Sequence, residues 1–355
     1  MKLQGMEKNL LCVTLPVVAA VLLFLELFFR LVIPACTKPL AFFDRDHAML
    51  RADATRRTTG LYTMGPLAQY RARWRTNNWG WNSPVDYVSE KGEKKRVCII
   101  GDSYVRALQV DVDKSFSSLL RRMAGDTCEV YSFGHDGAPL SQYLHMSRYV
   151  RRVFSPDVMI FLLIHNDFDE SLVSLARKPY FLQLAENREG FYEVAPQETP
   201  LYQWLTWSAT FRYMFKNLDL AGIYFKMAER PKGYTANVDP DRLAGHRDRL
   251  LAVTTFVLKR IRDENPGIRL IVAMDAPRPD IYSEGPIEES PVFWMNRMAA
   301  DICAKLGLEF VDLTGPFQEA FKTTGDRLEF DINNHWNENG HDLAARILAS
   351  NLQGL

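Results

Sequence analysis

Apolar and polar residues change rhythm twice along this chain. Over residues 10–33 the run LLCVTLPVVAAVLLFLELFFRLVI is apolar apart from Glu26 and Arg30, long enough as a helix to cross a hydrocarbon layer of about 30 Å. Glu26 and Arg30 stand four apart, so they can pair on one helix face near the membrane surface. Residues 34–95, rich in Arg, Trp, Pro and Asn, show little periodicity and read as a juxtamembrane connector that becomes ordered near TNNWGWNSP. From Arg96 onward, short apolar runs alternate with amphipathic stretches, the signature of βαβ units around a parallel sheet. The pattern predicts strands at 96–100, 128–133, 158–163, 270–274 and 309–312. It predicts helices at 114–124, 141–154, 241–264, 291–306 and 338–352, with Pro240 and Pro291 suited to first turns.

One connection breaks the rhythm. Residues 168–239 far exceed an ordinary loop and are dense in aromatics, among them Tyr180, Phe181, Tyr192, Trp204, Trp207, Phe211, Tyr213 and Phe215. The segment is too hydrophobic for a disordered linker; it is expected to pack as a helical cap, and that cap is in position to form one wall of a substrate cleft. The expected organisation is an anchor over 1–33, a connector over 34–95 and one α/β domain over 96–355 carrying the insertion 168–239.

Composition narrows the partners. The 43 basic and 43 acidic side chains cancel, and without a basic stripe bearing interleaved aromatics a nucleic acid partner is not expected. The cysteines at positions 12, 36, 98, 128 and 303 have no paired spacing, which argues against both a zinc site and a disulfide framework. There is no HExxH, Asp-rich calcium loop, GxxxxGK[ST] or GxGxxG after the first strand, so no metal and no cofactor is expected. Lys2 and Lys8 precede the apolar run, while Arg30, Lys38 and Arg45 follow it; the balance favours a single-pass anchor with the domain outside. No small-x-small cleavage site stands out, which suits an uncleaved signal anchor.

In an open parallel sheet, catalytic groups gather beyond the carboxyl ends of the strands. The first predicted strand ends in Gly101-Asp102-Ser103, the second in SFGHDGAP, the third in IHNDF, and after the last comes FDINNHWNENGH. A serine, a glycine loop, an asparagine and a histidine thus arrive at one edge in order. These segments resemble the SGNH/GDSL hydrolase superfamily; GDSYV, FGHDG, ND and HWNENGH resemble its membrane-anchored members associated with acyl groups on envelope glycans, over roughly residues 77–350.

The resemblance implies a three-layer α/β/α, flavodoxin-like parallel sheet and a serine esterase or O-acyltransferase acting on an acylated carbohydrate or other ester. It implies Ser103 as nucleophile, His335 as base, and an oxyanion hole from Ser103 N–H, Gly137 N–H and the Asn166 side chain. Gly134 then relieves the turn, and His135, His165 and His341 line or pack. Each residue also has an ordinary structural reading: Ser103 as a helix cap, Asn166 as a turn cap, His335 as a packing residue. The third triad member departs from the family pattern, since Ile332 and Asn333 occupy the usual places for Asp and Asp331 stands four before the histidine. Asp331 is favoured as the orienting acid because it offers full charge to the imidazolium; Asn333 offers only a dipole, and Asp275 and Asp312 are outside choices. The missing Asp keeps a second reading open, a catalytically silent SGNH-like glycan-binding module of an envelope assembly complex.

Overall fold

The computed structural model describes residues 10–198, 203–218, 220, 238–283 and 285–352. A helical turn at Leu10–Thr14 leads into α1 (Leu15–Leu31); together they supply one helix, Cys12–Leu31, long and apolar enough to cross a membrane. The connector is not irregular. It forms two antiparallel hairpins, β1 (Ala41–Asp44) with β2 (Met49–Ala52) and β3 (Thr59–Met64) with β4 (Tyr70–Arg75). The period-two signal that identifies β4 is Arg71, Arg73 and Arg75 alternating with the buried Ala72 and Trp74.

The α/β domain follows as β5 (Lys95–Gly101), α2 (Ser103–Arg106), α3 (Phe116–Ala124), β6 (Cys128–Gly134), α4 (Leu140–Phe154) and β7 (Val158–Leu163). In the insertion, the described residues hold the hairpin β8 (Gln183–Asn187) with β9 (Gly190–Val194) and short helical turns including α5 (Ala209–Arg212), where a helical cap was expected; residues 221–237 lie outside the described residues. The chain then runs through α6 (Pro240–Ala244), α7 (Arg247–Glu264), β10 (Arg269–Met274), α8 (Arg278–Tyr282), α9 (Phe293–Leu306), β11 (Glu309–Asp312), α10 (Thr314–Thr324) and α11 (Glu338–Asn351). The single helix expected over 241–264 is broken at Gly245 and His246, between α6 and α7.

Five strands pair parallel throughout in the order β11-β10-β7-β5-β6. In chain order this is the doubly wound 2-1-3-4-5 arrangement, whose crevice opens at the carboxyl ends of its first and third strands. Here those are β5 and β7. Both are buried on both faces, so they read as unbroken apolar runs. Cys98, Ile100, Phe161 and Leu163 pack with Tyr143, Val150, Leu258 and Ala299 on one side; Val97, Ile99, Ile160 and Leu162 pack with Phe116, Leu120, Phe317 and Leu348 on the other. The result is a three-layer α/β/α fold. Side-chain caps start its helices where the sequence offers them: Ser115 Oγ accepts from Ser118 N at 3.4 Å before α3, and Asn337 Oδ1 from Gly340 N at 3.0 Å before α11.

Gly134 has a role that backbone freedom does not explain. A Cβ there would lie 2.1 Å from Arg106 N and 2.6 Å from the Val105 carbonyl carbon, so β6 must end in glycine for α2, and Ser103 with it, to rest against the sheet. Gly134→Ala is expected to lower stability by about 1–3 kcal/mol through overpacking, measured by urea denaturation, and to perturb the Ser103 amide in an NMR spectrum; an unshifted amide and unchanged midpoint would reject this close approach.

Candidate active site

Strand register brings the loops together. Gly101 of β5 stands opposite Gly134 of β6 and Leu162 of β7, and Leu163 stands opposite Met274 of β10. The next residues of each chain segment therefore leave the sheet at one edge. Asp102 caps α2, its Oδ1 accepting from Tyr104 N at 2.9 Å, which puts Ser103 at the first position of that helix. Ser103 Oγ donates a longer bond of 3.3 Å to Asp102 Oδ2. Burial, with the charges of Glu170 and Asp136 nearby, pushes the Asp102 carboxyl up from the usual carboxylate range, against the backbone bond from Tyr104 that favours its charged form.

His335 meets Ser103 from the other end of the chain. Its Nε2 lies 2.8 Å from Ser103 Oγ. Enclosure of the ring, reinforced by positive charge on Arg278 and Lys38 and opposed by Asp136, lowers its pKa to about 4. The neutral imidazole stacks beside Tyr104, centroids 4.9 Å apart. Its buried Nδ1 finds no hydrogen-bond partner among the described residues.

The orienting contact expected of Asp331 is not formed. Glu329 bridges to Trp336 and Phe330 N donates to His335 O at 3.0 Å, closing residues 331–334 into a tip that points outward. There the exposed Asp331 accepts from the Tyr70 hydroxyl at 2.8 Å. Asn333 Oδ1 accepts from the backbone N of His335 at 2.9 Å, and its amide faces Met64, so it braces the loop and leaves the ring alone. Asp312 is occupied by Thr314 and Asn296.

Asp275 serves the loop indirectly, through a buried network that sequence reasoning missed. Its Oδ1 accepts from Trp336 Nε1 at 2.9 Å, and its Oδ2 from Arg278 at 3.0 Å. Arg278, 3% exposed, also donates to Glu329 at 2.6 Å and to the Tyr104 hydroxyl at 2.5 Å. Tyr104 in turn donates to the Asn334 carbonyl. The neighbours of Ser103 and of His335 are thus tied to one guanidinium. An apolar pattern carries no signal for a buried arginine, although MDAPRPD directly after a strand places one at the right edge.

Gly137, at φ +72°, and Asn166 sit on the adjoining loops. Lys178 links them, donating to the Gly137 carbonyl at 3.0 Å and pairing with Glu170 at 2.5 Å, while Asn166 Nδ2 donates to the same Glu170 oxygen at 3.1 Å. Asn166 Oδ1 is buried without a partner among the described residues. Asp136 is held by Lys38 at 2.8 Å and Arg106 at 3.2 Å. The three further histidines considered from the sequence pack: His135 against Phe181, His165 on Asn296 Oδ1 at 2.9 Å, and His341 beside Phe116.

Tyr104→Phe, which strips partners from a buried guanidinium and carbonyl, should cost about 1–3 kcal/mol. Asp331→Asn, at an exposed tip, should change stability by less than about 0.5 kcal/mol. Chemical denaturation of both variants checks the contrast, and equal losses would contradict the network.

No protein-family model matches the sequence, and no curated protein sequence matches it. Solved structures do resemble the chain. A member of the lipolytic protein G-D-S-L family from Veillonella parvula DSM 2008 is 13% identical, with 74% of this chain and 100% of that one covered at TM-score 0.42. An acetyl xylan esterase, AlAXEase, is 12% identical over 72% of this chain and 99% of its own at TM-score 0.43. The lipase/acylhydrolase from Enterococcus faecalis is 12% identical over 73% and 96% at TM-score 0.39. Likeness at this level is likeness of chain trace, and any activity has to come from the atoms of the site itself.

Proposed function

We propose that this chain is a membrane-anchored serine esterase or O-acyltransferase that handles ester-linked acyl groups of envelope glycan through an acyl-enzyme on Ser103, on the extracytoplasmic side. One observation carries the chemistry: Ser103 Oγ stands 2.8 Å from His335 Nε2, the spacing of a nucleophile and its base. The glycan and the side of the membrane come from the sequence resemblance and the charge balance around the apolar run.

In the proposed reaction, Ser103 Oγ attacks the acyl carbonyl carbon as its proton passes to His335 Nε2. The resulting oxyanion is stabilised by the N–H groups of Ser103 and Gly137 and by Asn166 Nδ2, which turns from Glu170 toward it. Collapse breaks the ester C–O bond, the departing sugar oxygen takes the proton from His335, and the acyl group stays on Ser103. Water or a sugar hydroxyl then attacks the acyl-enzyme by the same steps in reverse. The first acceptor makes an esterase and the second a transferase. Lacking a carboxylate on Nδ1, His335 would act in a dyad whose alignment depends on the loop that carries it.

That unpartnered Nδ1 also supports the second reading, a catalytically silent glycan-binding module. The two separate on a p-nitrophenyl acetate assay. The enzyme reading expects turnover that Ser103→Ala abolishes, that Asn166→Ala lowers by about 10²–10³, and that Asp331→Asn leaves within about twofold. Glycan binding with no turnover above the Ser103→Ala blank would favour the module. Product analysis with an added acceptor oligosaccharide separates transfer from hydrolysis.

The pH profile follows from the lowered His335 pKa. The neutral ring is the base, and a lowered pKa keeps it neutral below the ordinary histidine value of 6.5, down to about 4. Acylation rate should therefore hold level as pH falls through 6.5 and decline only toward about 4. An acid limb centred at the ordinary histidine value would show that the ring is not enclosed as described.

A further inference from the structure

The insertion contacts the apolar helix directly. Along α1, only the side bearing Leu25, Glu26, Phe28 and Phe29 is partly covered; Leu31 and Val32 are 79% and 61% exposed. What covers that side is the segment around α5. Glu26 accepts from Ser208 Oγ at 2.8 Å, Ala209 N at 2.9 Å and Thr210 N at 3.1 Å, so a carboxylate of the apolar helix caps a helix of the insertion. Phe29 stacks on Tyr213 with centroids 3.8 Å apart, and Arg30 donates to the Trp207 carbonyl at 2.9 Å. Just past the helix, Cys36 N donates to Asn217 Oδ1 at 2.9 Å.

These bonds set a depth. Glu26 precedes Leu31, the last residue of the apolar helix, by roughly 7 Å at about 1.5 Å per residue. A segment bonded to Glu26 therefore reaches the same level, within the roughly 5–10 Å to which interfacial elements sink. Its outer surface suits that level: Trp207, Met214 and Phe215 are 62%, 40% and 41% exposed, and Arg57 stands 5.6 Å over the Trp207 ring. Aromatic rings beside arginine are what a headgroup boundary selects, because each ring buries its apolar body while the guanidinium stays at phosphate level.

We propose that residues 207–215 form a second membrane contact, lying in the acyl-headgroup boundary of a phospholipid bilayer beside the anchor and holding the domain at fixed height and tilt. This rests on the reading of the apolar helix as a membrane anchor. Lipid is the occupant because the segment bearing this exposed aromatic face is bonded to the helix whose other sides are exposed and apolar.

The test uses full-length protein in phosphatidylcholine and phosphatidylglycerol vesicles. Cys12 is the exposed cysteine and the other four are buried, so a Cys12→Ser background accepts a single environment-sensitive nitrobenzoxadiazole label at Phe215→Cys, Met214→Cys or Leu22→Cys. Lipids brominated near the glycerol should quench the labels at 214 and 215 and shield them from aqueous iodide, while lipids brominated near the bilayer centre quench the label at 22. Quenching at 22 with both 214 and 215 open to iodide would overturn the proposal, leaving that face to water or a protein partner, and would spare the anchor. Loss of quenching at 22 would overturn the anchor reading and this contact together.

Discussion

A single buried guanidinium holds the candidate site together. Arg278 gathers Asp275 from the end of β10, Glu329 from the start of the histidine loop and the Tyr104 hydroxyl from the serine helix. A charge taken out of water this completely is tolerable only when its partners are well placed, and removing one partner from such a pair costs about 3–5 kcal/mol. The arrangement contributes alignment more than stability. Ser103 and His335 lie 232 residues apart in the chain, and their 2.8 Å contact requires that the residues next to each be fixed to a common frame. Tyr104 and Trp336 are those residues, and the Arg278–Asp275 pair is the frame.

A second set of ties runs from the same loop toward the apolar helix. Asp331 and Asn333 bind Tyr70 and Met64, which face each other at the turn end of the β3–β4 hairpin. The tip of that hairpin is held in turn by Tyr213, whose hydroxyl donates to the Pro66 carbonyl at 2.7 Å, and by Asn217, bonded to Thr63 at 2.9 Å. The residues expected to orient the imidazole thus brace its loop against the β3–β4 hairpin. Neither side chain bonds the ring: Asp331 is spent on Tyr70, and Asn333 on Met64 and the backbone N of His335.

Much was legible in the chain itself. Apolar runs identified all five parallel strands to within a residue at each end, most cleanly β5 and β7, which are buried on both faces and so carry few polar positions to blur them. That the loops of Ser103, Gly137 and Asn166 leave the sheet at one edge followed from connectivity, since a parallel sheet releases every strand there, whereas the choice of those residues and of His335 came from the resemblance. The long apolar helix was likewise readable from composition, and His165, expected to line the site or pack, and His341, expected to pack, are both buried in packing contacts. These are local or topological properties, and they survive without knowledge of any contact.

What required tertiary structure were the facts that depend on distance between remote segments. The β1–β2 and β3–β4 hairpins are built of strands of four to six residues, and outside β4 these alternate too little to stand out from a connector. Gly134 looks like a turn residue until the backbone of Arg106 is seen pressed against it. Asp331 is favoured over Asn333 on charge, yet the bridge between Glu329 and Trp336 closes their loop so that both side chains bond elsewhere, to Tyr70 and Met64. Arg278 carried no mark of burial at all: hydrophobic periodicity locates what water rejects, whereas a buried charge is placed by partners contributed from three separate stretches of chain, and only the folded molecule brings those together.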